Sequence, residues 1–229
     1  MKQTLQIGGR ECLLYKKGEE PQVLLIQTLG AQERDSIDNE VAMISEASGA
    51  SFVMAAFAIG DWEVELTPWH DPAVSKRQAV GEHAGETLRY VTDTLIPYLY
   101  QEYGKLPIVL GGYSLGGLFS LWSGSESDCF AAIAAMSPSV WIAGWQDYAR
   151  QHPVKSPYVY LSLGDSEEHC RDKAIAGDEA HAHDAHRVVE LRGQQSSVKP
   201  PTVGQRRIVG YDYIISFTRK PRLVGSSIT

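Results

Sequence analysis

Short apolar runs recur along the chain, each closed by glycine, proline or a charged stretch. Residues 5–16 alternate about Gly8-Gly9 and read as two short strands. Residues 22–28 (QVLLIQT), 52–59 (FVMAAFAI), 106–110 (LPIVL), 130–136 and 158–163 (YVYLSL) are nearly unbroken apolar runs, the pattern of strands buried on both faces. Helical spacing separates them. Residues 36–47 place Ile37, Val41 and Ile44 on one stripe behind Ser36, a residue suited to cap a helix. Residues 85–103 place Leu88, Val91, Leu95, Tyr98 and Leu99 on one face, with Pro97 expected to bend or split the helix. A further helix is expected from near Leu115 through Trp122, and another over residues 141–151. The connection 60–83 is long enough to suggest a functional loop. Strands alternating with helices predict an α/β fold, a mostly parallel sheet covered on both faces.

One of these strand-to-helix junctions carries chemistry. Gly111-Gly112-Tyr113-Ser114-Leu115-Gly116-Gly117 follows an apolar strand and opens a helix, and its centre is G-x-S-x-G. A chain that reverses from strand to helix this sharply holds its serine in a strained conformation and leaves no room for side chains two residues away, so glycines stand there. The turn lifts the Ser114 hydroxyl out of the sheet and points the Leu115 N–H at a developing oxyanion. A serine nucleophile needs a base and an acid that orients it, and in this arrangement the acid follows a later strand. Residues 160–168 (YLSLGDSEE) supply Glu167 as first choice and Asp165 as alternative.

Residues 23–173, about two-thirds of the chain, resemble the α/β-hydrolase superfamily in its putative-esterase branch, which includes esterase D-like and enterochelin-esterase-like enzymes. The resemblance rests on Leu66-Thr67-Pro68-Trp69, the elbow 111–117 running on to Leu121-Trp122, Ser137-Pro138-Ser139-Val140-Trp141, and residues 161–168. It implies the three-layer α/β-hydrolase fold and cofactor-free hydrolysis of a small-molecule ester through an acyl-enzyme on Ser114. It also implies a second oxyanion donor in the loop after the 22–28 strand, from Leu29 or its neighbour, although the family's His-Gly is absent there. Tyr113, Trp69 and Trp141 are expected at the substrate pocket, where Trp62 and Trp145 are further aromatic candidates.

The base is where the pattern breaks. The resemblance places a histidine near the C-terminus, a helix and a strand beyond the acid. The seven histidines are His70, His83, His152, His169, His181, His183 and His186, and none follows position 186. His169, two residues past Glu167, is a weak candidate. The sequence also changes character there. Residues 185–229 carry eight Arg and Lys against Glu190 and Asp212, a balance of +6, so with a total of −7 the first 184 residues carry −13. Residues 193–207 contain Pro200-Pro201 and little that packs. Residues 1–176 are therefore expected to form the hydrolase core, and 177–229 an atypical or incomplete C-terminal segment. A reading-frame shift near Gly177 and a natural divergent tail both fit that break. A chain without its base would be a non-catalytic, ligand-binding hydrolase fold or an inactive product.

Composition narrows the classes further. The chain has 229 residues, 43% hydrophobic and 21% charged, an ordinary globular balance. No apolar run reaches the length of a membrane helix, and the first ten residues lack the apolar core of a signal peptide. Cys12, Cys129 and Cys170 are too few and too scattered for a disulfide framework, which points to the cytoplasm. The acidic balance weighs against nucleic acid as a partner. His181-Ala182-His183-Asp184-Ala185-His186 approaches a zinc-hydrolase motif with its aspartate one place early, and reads rather as a solvated helix face, so no metal is expected.

Overall fold

The structure is a computed structural model that describes residues 1–72, 74 and 82–162. Strands β1 (Lys2–Ile7) and β2 (Arg10–Lys17) form a hairpin whose turn is Gly8-Gly9, both at positive φ (56° and 83°). Two consecutive left-handed residues give the turn whose twist matches that of the flanking strands, which is why glycine occupies both places. There follow β3 (Val23–Leu29), α1 (Ile37–Ala47), β4 (Phe52–Ala58), the short α2 (Trp62–Glu65), α3 (Ala84–Tyr90), α4 (Ile96–Tyr103), β5 (Ile108–Tyr113), α5 (Leu115–Glu126), β6 (Ala132–Met136), α6 (Trp145–Gln151) and β7 (Tyr158–Ser162). The strands make one seven-stranded sheet in the order β1-β2-β4-β3-β5-β6-β7. The run from β4 to β7 is parallel, and β1 and β2 add an antiparallel edge.

Each face of the sheet has its own core. Leu24, Ile26, Phe57, Leu110 and Ile133 pack with α3, α4 and α5 on one side. Leu25, Met54, Val109 and Ala134 pack with Ile37 and Ile44 of α1 on the other. This is the three-layer α/β-hydrolase architecture. The chain leaves β3 toward β4 on one side and crosses back to β5 on the other. The carboxyl ends of β3 and β5 therefore flank a topological switch point, where open α/β sheets bind ligands.

Several elements differ from the sequence pattern for local reasons. Ser36 precedes α1 without capping it: its backbone is already helical (φ −101°, ψ −18°) and its hydroxyl donates to the Glu33 carbonyl. Helical backbone runs on through Pro97, with a change of helix type just before it that separates α3 from α4. A wide turn over Val91–Leu95, in which the Ile96 N–H reaches back to the Val91 carbonyl, absorbs the proline's missing donor. The 141–151 helix begins only at Trp145, because Gly144 (φ 81°) breaks the chain direction just before it. Gln27 sits fully buried in β3 and donates to Glu40 of α1 at 3.3 Å, a polar tie inside a mostly apolar run. The boundary at 176/177 and the segment 177–229 lie outside the described residues.

Candidate active site

Ser114 is the single residue between β5 and α5, at φ 55° and ψ −121°. That left-handed conformation is unfavourable for a side chain with a Cβ and persists only where the surroundings impose it. The Ser114 N–H donates to the Met136 carbonyl (3.1 Å), and the Ser114 carbonyl accepts from Leu118 (3.0 Å) and Ser139 (3.1 Å). The flanking glycines provide space. A Cβ on Gly112 would collide with the Gly116 backbone, and one on Gly116 would come within 2.6 Å of Thr28 Oγ1. Gly117 is tighter than ordinary contact, with a would-be Cβ 3.1 Å from the Met136 carbonyl oxygen and from Pro138 Cα. The sequence spacing thus corresponds to three close approaches around one strained serine, two against backbone and one, at Gly116, against the Thr28 side chain.

The Ser114 hydroxyl is half-buried, and its hydrogen-bond partner among the described residues is Ser139 Oγ at 3.2 Å. Ser139 is buried and enters on a turn whose first residue, Ser137, also has positive φ (43°). The Ser137 N–H donates to the Ser162 carbonyl at 2.7 Å, which ties this turn to β7. Leu115 opens α5, so its N–H stands at the positive end of the helix dipole beside Ser114. On the β3 side, the Leu29 carbonyl accepts from the Ile59 N–H (3.0 Å). The Gly30 N–H donates to Glu33 Oε2 (3.1 Å).

Aromatic residues wall the same end of the sheet. The Trp62 ring lies between Gly30 and Gly116, whose would-be Cβ atoms fall 3.0 and 3.5 Å from it. Trp69 stacks on Trp145 at 6.4 Å, and its Nε1–H donates to the Ala143 carbonyl (2.7 Å). Asp71 is buried and accepts from the Ala143 N–H (2.7 Å), so the 66–72 loop is clamped to the segment after Ser139. Tyr113 is 43% exposed beside Ser114, Trp141 is half-buried, and Trp145 belongs to the core. Burial pushes the Tyr148 phenol, next to Trp69, well above its ordinary range, and Glu126 reinforces the effect.

Glu167, Asp165, His169 and the cluster His181, His183 and His186 lie outside the described residues. His83 contacts Glu86 at 3.1 Å, His152 stacks on Tyr148 at 4.5 Å, and His70 is half-buried in the loop after Trp69. No group of side chains able to hold a metal ion occurs among the described residues. None of the described helices is long and apolar enough to cross a membrane.

Fold and elbow together define an α/β-hydrolase. The family described as "Putative esterase" matches residues 20–199, and the chain belongs to that family. Solved structures share the fold at low identity. The siderophore hydrolase EstA from Aspergillus nidulans aligns with a TM-score of 0.66 and 16% identity, over 95% of this chain and 94% of its own. An IroE-like serine hydrolase from Shewanella oneidensis aligns with a TM-score of 0.68 and 14% identity, over 95% and 79%. The enterobactin hydrolase IroE in complex with DFP gives 0.60 and 13%, over 96% and 95%. No curated protein matches the chain.

Proposed function

We propose that the protein is a serine-dependent hydrolase of carboxylic esters. The observation that carries this reading is the backbone of Ser114, held at φ 55° between β5 and a helix N-terminus by glycines that admit no side chain. Ser114 Oγ attacks the ester carbonyl, and its proton passes to a histidine base. The carbonyl oxygen takes up the electron pair and is met by the Leu115 N–H and a donor at the carboxyl end of β3, from Leu29 or its neighbour. Collapse expels the alcohol, which takes the proton from the base. Water then attacks the acyl-enzyme in the same manner and releases the acid. Glu167, or Asp165, orients the base, for which His169 is the candidate. Tyr113, Trp69 and Trp141 bound the pocket. The substrate is a small-molecule ester, and the protein acts in the cytoplasm.

The neighbours described as siderophore and enterobactin hydrolases make siderophore esters the first substrates to assay. A fluorophosphonate probe reads the nucleophile directly, because it reacts with activated serine hydroxyls. The wild type is expected to be labelled and Ser114→Ala not to be. Hydrolysis by the variant should fall about 1,000-fold or more. A folded wild type that takes no label, or a label that survives in Ser114→Ala, removes this reading.

A further inference from the structure

We propose that Ser139 is a second catalytic hydroxyl, which donates a hydrogen bond to Ser114 Oγ and stabilises the negative charge that oxygen carries as it attacks and as it later leaves the acyl group. The proposal rests on Ser114 being the nucleophile. The direction of the bond follows from what each hydroxyl can reach. Ser139 is 3% exposed, so its proton has no outlet to solvent. Its only hydrogen-bond partner among the described residues is Ser114 Oγ, at 3.2 Å. A buried hydroxyl directs its proton at an available acceptor, which leaves Ser114 to point its own proton elsewhere, toward a base.

The placement of Ser139 is enforced. Its own N–H donates to the Ser114 carbonyl at 3.1 Å, so one residue grips the nucleophile at both backbone and side chain. The turn that delivers it contains a second positive-φ, non-glycine residue, Ser137 (φ 43°), and packs against Gly117, where a Cβ would stand 3.1 Å from Pro138 Cα. Strain of this kind concentrates where function fixes a geometry. No covalent step involves Ser139: its proton stays on its own oxygen throughout, and the base still carries the proton of Ser114. The charge on Ser114 Oγ is largest when its own proton has left and when its bond to the acyl carbon breaks. A donor aimed at that oxygen acts at both moments.

The experiment compares full-length wild type, Ser114→Ala, Ser139→Ala, Ser139→Cys and Ser139→Thr by the rate of fluorophosphonate labelling and by kcat and KM on one soluble ester. Ser139→Ala is expected to lose about 10- to 100-fold in labelling rate and kcat with KM unchanged, the size of a hydrogen bond to a developing charge. Ser139→Cys, with a weak donor, should fall between Ala and wild type, and Ser139→Thr should recover most of the rate. A Ser139→Ala protein that labels at the wild-type rate overturns the proposal while leaving the Ser114 reading intact. So does a loss that neither Cys nor Thr recovers, because the hydroxyl is then not the cause. A wild type without label, or a label persisting in Ser114→Ala, overturns the Ser114 reading and this proposal with it.

Discussion

A single methyl group at position 112 would land on the backbone of Gly116, whereas one at position 117 would meet its neighbours at 3.1–3.2 Å. The difference separates a contact that must move backbone from one that small shifts relieve. Gly112→Ala is therefore expected to displace Ser114 and to slow labelling about 100-fold, the effect of a misplacement near 1 Å. Gly117→Ala should cost stability of about 1–3 kcal/mol, read by denaturant unfolding, with a smaller loss of rate. Equal labelling rates in Gly112→Ala and the wild type would show that the elbow tolerates the strain. The elbow was legible in the sequence because the glycines that make room for it all lie within three residues of Ser114, although Gly116 and Gly117 make that room against the distant Thr28, Met136 and Pro138. Ser139 was visible only as part of a family-like segment. Its contact with Ser114 spans 25 residues, a distance no local period records. Gln27 was missed for a related reason: an amide inside an apolar run shows its use only once Glu40 is placed beside it.

Two strands and a helix meet in one polar network at the antiparallel edge. Tyr15 of β2 donates to Asp38 of α1 at 2.6 Å, and Lys2 of β1 donates to the same carboxylate at 2.7 Å. Burial first, and the hydrogen bond to Asp38 second, push the Tyr15 phenol up to about 12. An unfolded tyrosine ionises near pH 10. Between about pH 10 and 12 the folded state therefore holds a proton that the unfolded state has released, and stability falls as pH rises through that window. Below pH 10 this contribution is fully present. Tyr15→Phe removes the titrating group, so its stability should decline less steeply than that of the wild type between pH 10 and 12, as followed by urea unfolding at fixed ionic strength. Parallel slopes would assign the alkaline loss to other groups. The elements themselves were well encoded: the apolar runs locate the described strands to within three residues. The sequence pattern of the 141–151 helix continues across Gly144, whereas the backbone helix starts only after it.

At the scale of the molecule, Ser114 stands where the strand order reverses, at the carboxyl end of a strand buried on both faces. The sequence implied a parallel sheet but not its order, since register and neighbour choice depend on contacts between distant segments. It gave no sign that β2 pairs with β4 rather than with β3, which follows it in the chain. That order matters for the chemistry. A residue held at φ 55° stays there only if its surroundings are stiffer than the strain is strong. The interior of the sheet supplies that stiffness, because β3 and β5 are paired on both edges and covered on both faces, whereas most of β1 is exposed. Native-state hydrogen exchange should therefore show the slowest amides in β3 and β5, opening only with global unfolding, and β1 exchanging through local opening at lower cost. If β5 exchanged as fast as β1, the elbow would not be anchored by the sheet. The burden would then fall on the turn at Ser137 and Ser139, and substitutions there would loosen Ser114 more than substitutions in the strand beneath it.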